Sequence, residues 1–139
     1  MFGLFGNKKT GRAKILIVDD EPDYVSTIQQ HLEWSKYDTV VAVNGKEGLE
    51  KAASEKPDLI LLDTSMPVMN GHEMLKHLSG DQQLKDIPVI MVTAACEVDD
   101  IAAASSFGIV DYIAKPFDFA ELKEKIANAL KGKKALSSV

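Results

Sequence analysis

A chain of 139 residues with 45% hydrophobic and 27% charged residues has the make-up of one soluble globular domain built on a single sizeable core. Its net charge of −5 hides a split, because Lys8, Lys9, Arg12 and Lys14 open the chain and Lys131, Lys133 and Lys134 close it, leaving 9 basic against 21 acidic residues and about −12 for Ile15 to Leu130. That charge argues against nucleic acid as a partner of the body; no apolar run reaches the roughly 18 residues of a membrane span, Met1–Thr10 lacks a secretory core, and the lone Cys96 excludes an intrachain disulfide, so the expected compartment is the cytoplasm.

Short apolar runs alternate with longer amphipathic segments from end to end. Ile15–Val18 reads as the first strand, and Pro22 suits the first turn of a helix that buries Val25, Ile28 and Leu32. Val40–Val43 follows as the second strand. Asn44 and Glu47 form a capping box for a second helix that ends before Pro57. Leu59–Leu62 is the third strand, followed by a third helix from about Gly71 to Leu78. Val89–Val92 is the fourth, and a helix from about Glu97 to Phe107 stops at Gly108. The fifth strand, Val110–Ala114, carries Asp111 as an edge strand can. Asp118 and Glu121 then open a fifth helix with Leu122, Ile126 and Leu130 on one face before Gly132.

The first four runs are wholly apolar, as strands covered on both faces are. Five strands alternating with five helices through right-handed crossovers predict a doubly wound parallel sheet of flavodoxin-like α/β type, in the order 2-1-3-4-5. One domain is expected over residues 13–131, between a flexible basic leader at 1–12 and a short basic tail at 132–139.

Ligands of such sheets bind beyond the carboxyl ends of the strands, where the winding reverses. Asp19 and Asp20 follow the first strand, Asp63 follows the third, Thr93 ends the fourth and Lys115 follows the fifth. Strands one and three are neighbours in the predicted order, so three carboxylates meet. Two carboxylates about 4 Å apart repel by about 4 kcal/mol at an effective dielectric of 20, so the cluster needs a cation. An all-oxygen donor set suits Mg²⁺, with Lys115 as a fixed positive charge and Thr93 as a hydroxyl donor. This is the equipment for phosphoryl transfer onto a carboxylate. Asp63 is the candidate acceptor, because it leads a loop that Pro67 and Gly71 turn sharply.

The motifs Ile-Leu-Ile-Val-Asp19-Asp20-Glu21-Pro22, Leu-Leu-Asp63-Thr-Ser-Met-Pro67, Val-Thr93-Ala94 and Asp-Tyr112-Ile-Ala-Lys115-Pro116-Phe117 resemble those of response-regulator receiver domains of two-component signalling, the single-domain chemotaxis (CheY-like) type in particular. The likeness covers about Ala13 to Lys131, and the separations of 30 residues from Asp63 to Thr93 and 22 from Thr93 to Lys115 match the family. It implies that Asp63 accepts a phosphoryl group from a histidine kinase or phosphotransfer protein. It also implies that Asp20, Asp63 and the backbone carbonyl of Ser65 bind Mg²⁺ directly, with Asp19 acting through water. Lys115 would pair with Asp63 or its phosphate, across a Lys115–Pro116 bond that is cis in the family. Thr93 and Tyr112 would form the switch, read by a protein target on the face of the fourth helix, fifth strand and fifth helix.

On that likeness the chain is expected to be a stand-alone receiver that signals by protein contact or passes its phosphate onward, since the last predicted helix ends about eight residues before Val139. It is not expected to be an enzyme. An aspartyl-phosphate phosphatase would carry a general acid two residues past its nucleophile, where Ser65 stands, and a flavin carrier would not place Asp19-Asp20-Glu21 after its first strand. His31, His72 and His77 lie in predicted helices and read as solvated or packing residues, and Cys96 as incidental to the site.

Overall fold

The computed structural model describes residues 11–94 and 107–137. In chain order these form β1 (Lys14–Val18), α1 (Pro22–Trp34), β2 (Asp38–Ala42), α2 (Gly45–Glu55), β3 (Leu59–Asp63), α3 (Gly71–Ser79), β4 (Val89–Ala94), β5 (Ile109–Lys115) and α4 (Phe119–Ser137). The predicted helix from Glu97 to Phe107, together with Cys96 and residues 1–10 of the leader, lies outside the described residues apart from Phe107 itself. Thus α4 is the fifth helix of the sequence reading. The five strands are parallel, in the order β2-β1-β3-β4-β5.

Strand alternation divides the core between two faces. Leu16, Val18, Ile60, Leu62, Val89 and Met91 meet Ala52, Met74, Leu75 and Leu78 from α2 and α3. Ile15, Ile17, Leu59, Leu61, Ile90 and Val92 meet Val25, Ile28 and Leu32 of α1 and Leu122 and Ile126 of α4. Both sets are buried, so β1, β3 and β4 need apolar residues at every position rather than at alternate ones.

Three features depart furthest from the sequence reading. β2 starts at Asp38 and ends at Ala42, because Asp38 and Thr39 pair with Lys14 and Ile15; Val43 lies beyond the strand and is 49% exposed. Apart from Ala42, β2 is only half-buried, since it forms an edge of the sheet. Asn44 accepts the Glu47 N–H at 2.9 Å, yet Glu47 Oε1 accepts the N–H of Val43 rather than that of Asn44, so the box is displaced by one residue. The closed capping box is on α3, between Asn70 and Glu73. Finally, α4 continues through Gly132 to Ser137, so six residues assigned to the tail are helical. Glycine costs a helix roughly 1 kcal/mol relative to alanine, which weakens it without ending it.

Candidate functional site

Register builds the site. Val18 of β1 sits opposite Leu62 of β3, so Asp19 and Asp63 lie at the same level just beyond. Asp63 itself pairs with Val92, Thr93 with Ala114 and Ala94 with Lys115, which carries Thr93 and Lys115 to the same carboxyl end. The structure therefore gathers the side chains the sequence singled out. Carboxylate oxygens of Asp19, Asp20 and Asp63 all lie within 4.8 Å of one another.

Lys115 reaches into the cluster, its Nζ 3.3 Å from Asp19 Oδ2, 3.4 Å from Asp63 Oδ1 and 3.7 Å from Glu21 Oε1. Asp19 is further oriented by the Glu21 N–H, which donates to Oδ1 at 3.0 Å and so ties the carboxylate to the entry of α1. Asp19 and Asp63 are buried and Asp20 is exposed. Burial, reinforced by the charge of Asp19, pushes the Asp63 carboxyl up to about 6 in spite of Lys115. Burial draws the Lys115 ammonium down, but Asp63 and Asp19 outweigh it and its pKa is raised. Three acids contact the one ammonium and a fourth, Asp20, stands beside them, so the pocket keeps a negative excess that a hard cation fits.

The loop after Asp63 depends on Gly71. A methyl group at that position would overlap the Asp63 carbonyl oxygen and approach the Thr64 Cα to 3.0 Å, while the Gly71 N–H donates to the Thr64 carbonyl at 3.2 Å. Only glycine lets α3 start directly against the backbone of the acidic residue. Ser65 is exposed in this loop, on the same end of the sheet.

Thr93 is fully buried; its hydroxyl donates to the Ala94 carbonyl at 3.3 Å and accepts from Thr64 Oγ1 at 3.5 Å. Tyr112 faces outward from β5, 38% exposed, with Lys125 Nζ 5.9 Å from its ring centroid and 3.1 Å from Asp111. The Lys115–Pro116 bond is cis. Two neighbours of the site were not legible as such in the sequence. Thr64 follows the acceptor in its motif with no sign of its contact to Thr93, and Tyr24 carries no motif, yet its ring lies 4.5 Å from Lys115 Nζ. His31 is a packing residue, stacked on Phe119 with centroids 3.8 Å apart.

Residues 15–127 match the family model of the response regulator receiver domain. The chain is 42% identical over 118 residues to the alkaline phosphatase synthesis transcriptional regulatory protein PhoP of Bacillus subtilis, covering 85% of this chain and 48% of that protein. It is equally similar to the response regulator ArlR of Staphylococcus saprophyticus, 42% identical over 85% of this chain and 52% of the relative. The chain thus spans about half the length of these curated relatives. Among solved structures, a CheY-like response regulator receiver domain protein from Methanospirillum hungatei superposes with a TM-score of 0.82 at 31% identity, over 89% of this chain and 98% of that one. The receiver domain of a Pseudomonas aeruginosa sensor histidine kinase, solved with a magnesium ion coordinated in its active-site cleft, gives 0.79 at 27% identity, over 86% and 98%. With the fold, the strand order and a family match over most of its length in agreement, the chain belongs to the receiver domains of two-component response regulators.

Proposed function

We propose that Asp63 accepts a phosphoryl group from a histidine kinase or histidine phosphotransfer protein in a Mg²⁺-dependent reaction, and that the phosphorylated form is read by a protein partner. The observation that carries this reading is the shared ammonium. Lys115 stands 3.3 and 3.4 Å from two buried carboxylates on adjacent strands, with Asp20 beside them.

The donor set fits the ion. Asp20, Asp63 and the Ser65 carbonyl would hold Mg²⁺ directly and Asp19 through water, all hard oxygen ligands, and the Pseudomonas relative carries a magnesium ion in its active-site cleft. When bound, the ion supplies charge neutralisation for the transferred group. Asp63 supplies the nucleophile: one carboxylate oxygen attacks phosphorus in line as the bond from phosphorus to the donor nitrogen breaks, leaving one acyl phosphate per chain. With its pKa near 6, Asp63 is mostly ionised at neutral pH. Lys115 keeps its ammonium against the incoming oxygens and offsets their charge.

The phosphoryl group adds roughly −1.5 to −2 charge and three acceptor oxygens, so it favours any conformer that turns Thr93 toward Asp63. That turn exchanges the hydroxyl's bonds to Ala94 and Thr64 for one to phosphate. Tyr112, now outward on β5, is the proposed second half of the switch, and the surface of β5 and α4 with the predicted fourth helix is the face on which a protein partner reads it. A stand-alone module and the receiver part of a longer regulator make the same use of these residues. The role is that of a phospho-acceptor rather than a turnover enzyme, in the cytoplasm, with no nucleic acid bound by residues 13–131. Among the described residues no helix is long and apolar enough to cross a membrane.

Intact-mass measurement after incubation with acetyl phosphate and Mg²⁺ tests the reading. One phosphoryl group is expected on the wild-type chain and none on Asp63→Asn, and equal labelling of the two would overturn the assignment.

A further inference from the structure

Lys115 is drawn toward three carboxylates, Asp19, Glu21 and Asp63, at 3.3, 3.7 and 3.4 Å. Attraction from several anions at similar distances pulls an ammonium on a flexible stem into the cluster without choosing one position for it. The same ammonium also rests over the ring of Tyr24, with Nζ 4.5 Å from its centroid, well inside the range of a cation on an aromatic ring.

That ring is itself held. It meets Phe117 edge-on at 5.7 Å and 74°, Phe117 meets Phe119 at 5.6 Å and 77°, and Phe119 stacks flat on His31 at 3.8 Å and 2°. Tyr24 and His31 are seven residues apart on α1, two turns along one face, and Phe117 and Phe119 are two and four residues past Lys115. The four rings form a clasp between α1 and the segment that leaves β5. Ordinary core packing would be served equally well by leucine at position 24, but leucine offers no negative ring face to a cation.

We propose that Tyr24 is a positioning residue for Lys115: its ring, fixed by the Phe117–Phe119–His31 clasp, seats the ammonium between Asp19 and Asp63 and couples α1 to the acceptor site. The inference deepens the reading of Asp63 as phospho-acceptor and rests on it for its effect on rate, though not for the seat itself. Because Tyr24 belongs to α1 and its ring packs edge-on against Phe117, a displacement of α1 moves Tyr24, and Lys115 with it.

The test compares Tyr24→Leu with Tyr24→Phe in the full chain by two measurements. In the protein without added metal, the ε-methylene protons of Lys115, one bond from the Nζ that meets the ring, are expected upfield by its ring current in the wild type and in Tyr24→Phe, and at ordinary shifts in Tyr24→Leu. With acetyl phosphate and saturating Mg²⁺, the initial labelling rate is expected to fall about tenfold in Tyr24→Leu and to stay within about twofold of wild type in Tyr24→Phe. Should Tyr24→Leu fail to fold, Phe117→Leu replaces it, loosening the ring beneath Lys115 and giving a partial loss of both signals. Wild-type shifts and rate in Tyr24→Leu overturn the proposal, as does an equal loss of rate in the Phe and Leu variants. A wild-type chain that takes up no phosphoryl group would sink the Asp63 reading instead, while the methylene shifts still decide whether Tyr24 seats Lys115.

Discussion

The two ends of β1 hold their charges in opposite ways. At the amino end, Lys14 Nζ meets Glu55 Oε1 at 3.0 Å and the Glu55 carbonyl at 3.3 Å, and the Lys14 N–H donates to Asp58 Oδ2 at 2.8 Å. Each charge there has a partner from the end of α2 or the turn before β3, and the result is a tie between elements. At the carboxyl end Asp19, Asp63 and Glu21 share one ammonium, with the Asp20 carboxylate beside them. Two of those acids are buried, where an uncompensated charge is expensive. The difference teaches where this molecule keeps its structure and where its chemistry: matched charges close one end of the strand, while an excess at the other is held ready for a ligand.

The sharpest way to break the contrast is to disturb the backbone that holds the excess. Gly71→Ala forces a methyl group onto the Asp63 carbonyl, and a loss of about 3 kcal/mol in urea unfolding is expected, with labelling impaired in what remains folded. A fully stable, fully active variant would mean that the loop relaxes freely and that Gly71 does not set the position of Asp63.

Asp20→Ala removes an exposed acid and leaves the buried pair alone. Mg²⁺ affinity is expected to fall at least about tenfold by titration calorimetry, with little change in stability, because Asp20 makes no ion pair among the described residues. An unaltered titration would remove it from the ligand set.

The charge excess also predicts a dependence on pH. The folded Asp63 carboxyl sits at about 6 against 3.8 for an ordinary aspartate, so the native state binds this proton more tightly than the unfolded chain does. Without metal its contribution to stability is full below about 3.8 and is lost as pH rises through about 6. Asp63→Asn, neutral throughout, should therefore be more stable than wild type at pH 7. The shift corresponds to about 3 kcal/mol at most, and solvent screening at the mouth of the site reduces this to about 1–2 kcal/mol. Thermal unfolding at pH 4 and pH 7 checks the sign, since the gain must shrink at the lower pH.

The smallest effect belongs to the matched end. Lys14→Met should cost about 0.5–1 kcal/mol and leave phosphoryl labelling unchanged, Glu55 being partly exposed and its pairing with Lys14 partly screened. Loss of labelling in Lys14→Met would show that the two ends of β1 are not separate.

What could be read in advance follows from the kind of force involved. Asp19, Asp63, Thr93 and Lys115 were legible because each is the polar residue that ends an apolar run, and the winding rule brings strand ends together. The helix faces of α1 and α4 were legible from their spacing, with Val25, Ile28, Leu32, Leu122 and Ile126 all buried. β2 was placed late by two residues because Asp38 and Thr39 are polar, and an edge strand pairs through its backbone whatever its side chains. The clasp left no trace in the pattern. Tyr24 and Phe117 stand 93 positions apart, and aromatic residues look the same in sequence whether they fill a core or seat a cation.

Local chemistry along the chain determined by itself which segments are strands, in what order they pair, and which carboxylates gather at the sheet's carboxyl end. Those outcomes depend on periodicity and on the handedness of βαβ crossovers, both of which are written into short stretches of residues. Tertiary structure alone decided that Lys115 divides itself between Asp19 and Asp63, that Gly71 must approach the Asp63 backbone, and that an aromatic ring of α1 meets the ammonium. Each of these is a distance between groups remote in sequence. Such distances are set by how whole elements pack, and no single segment carries that information.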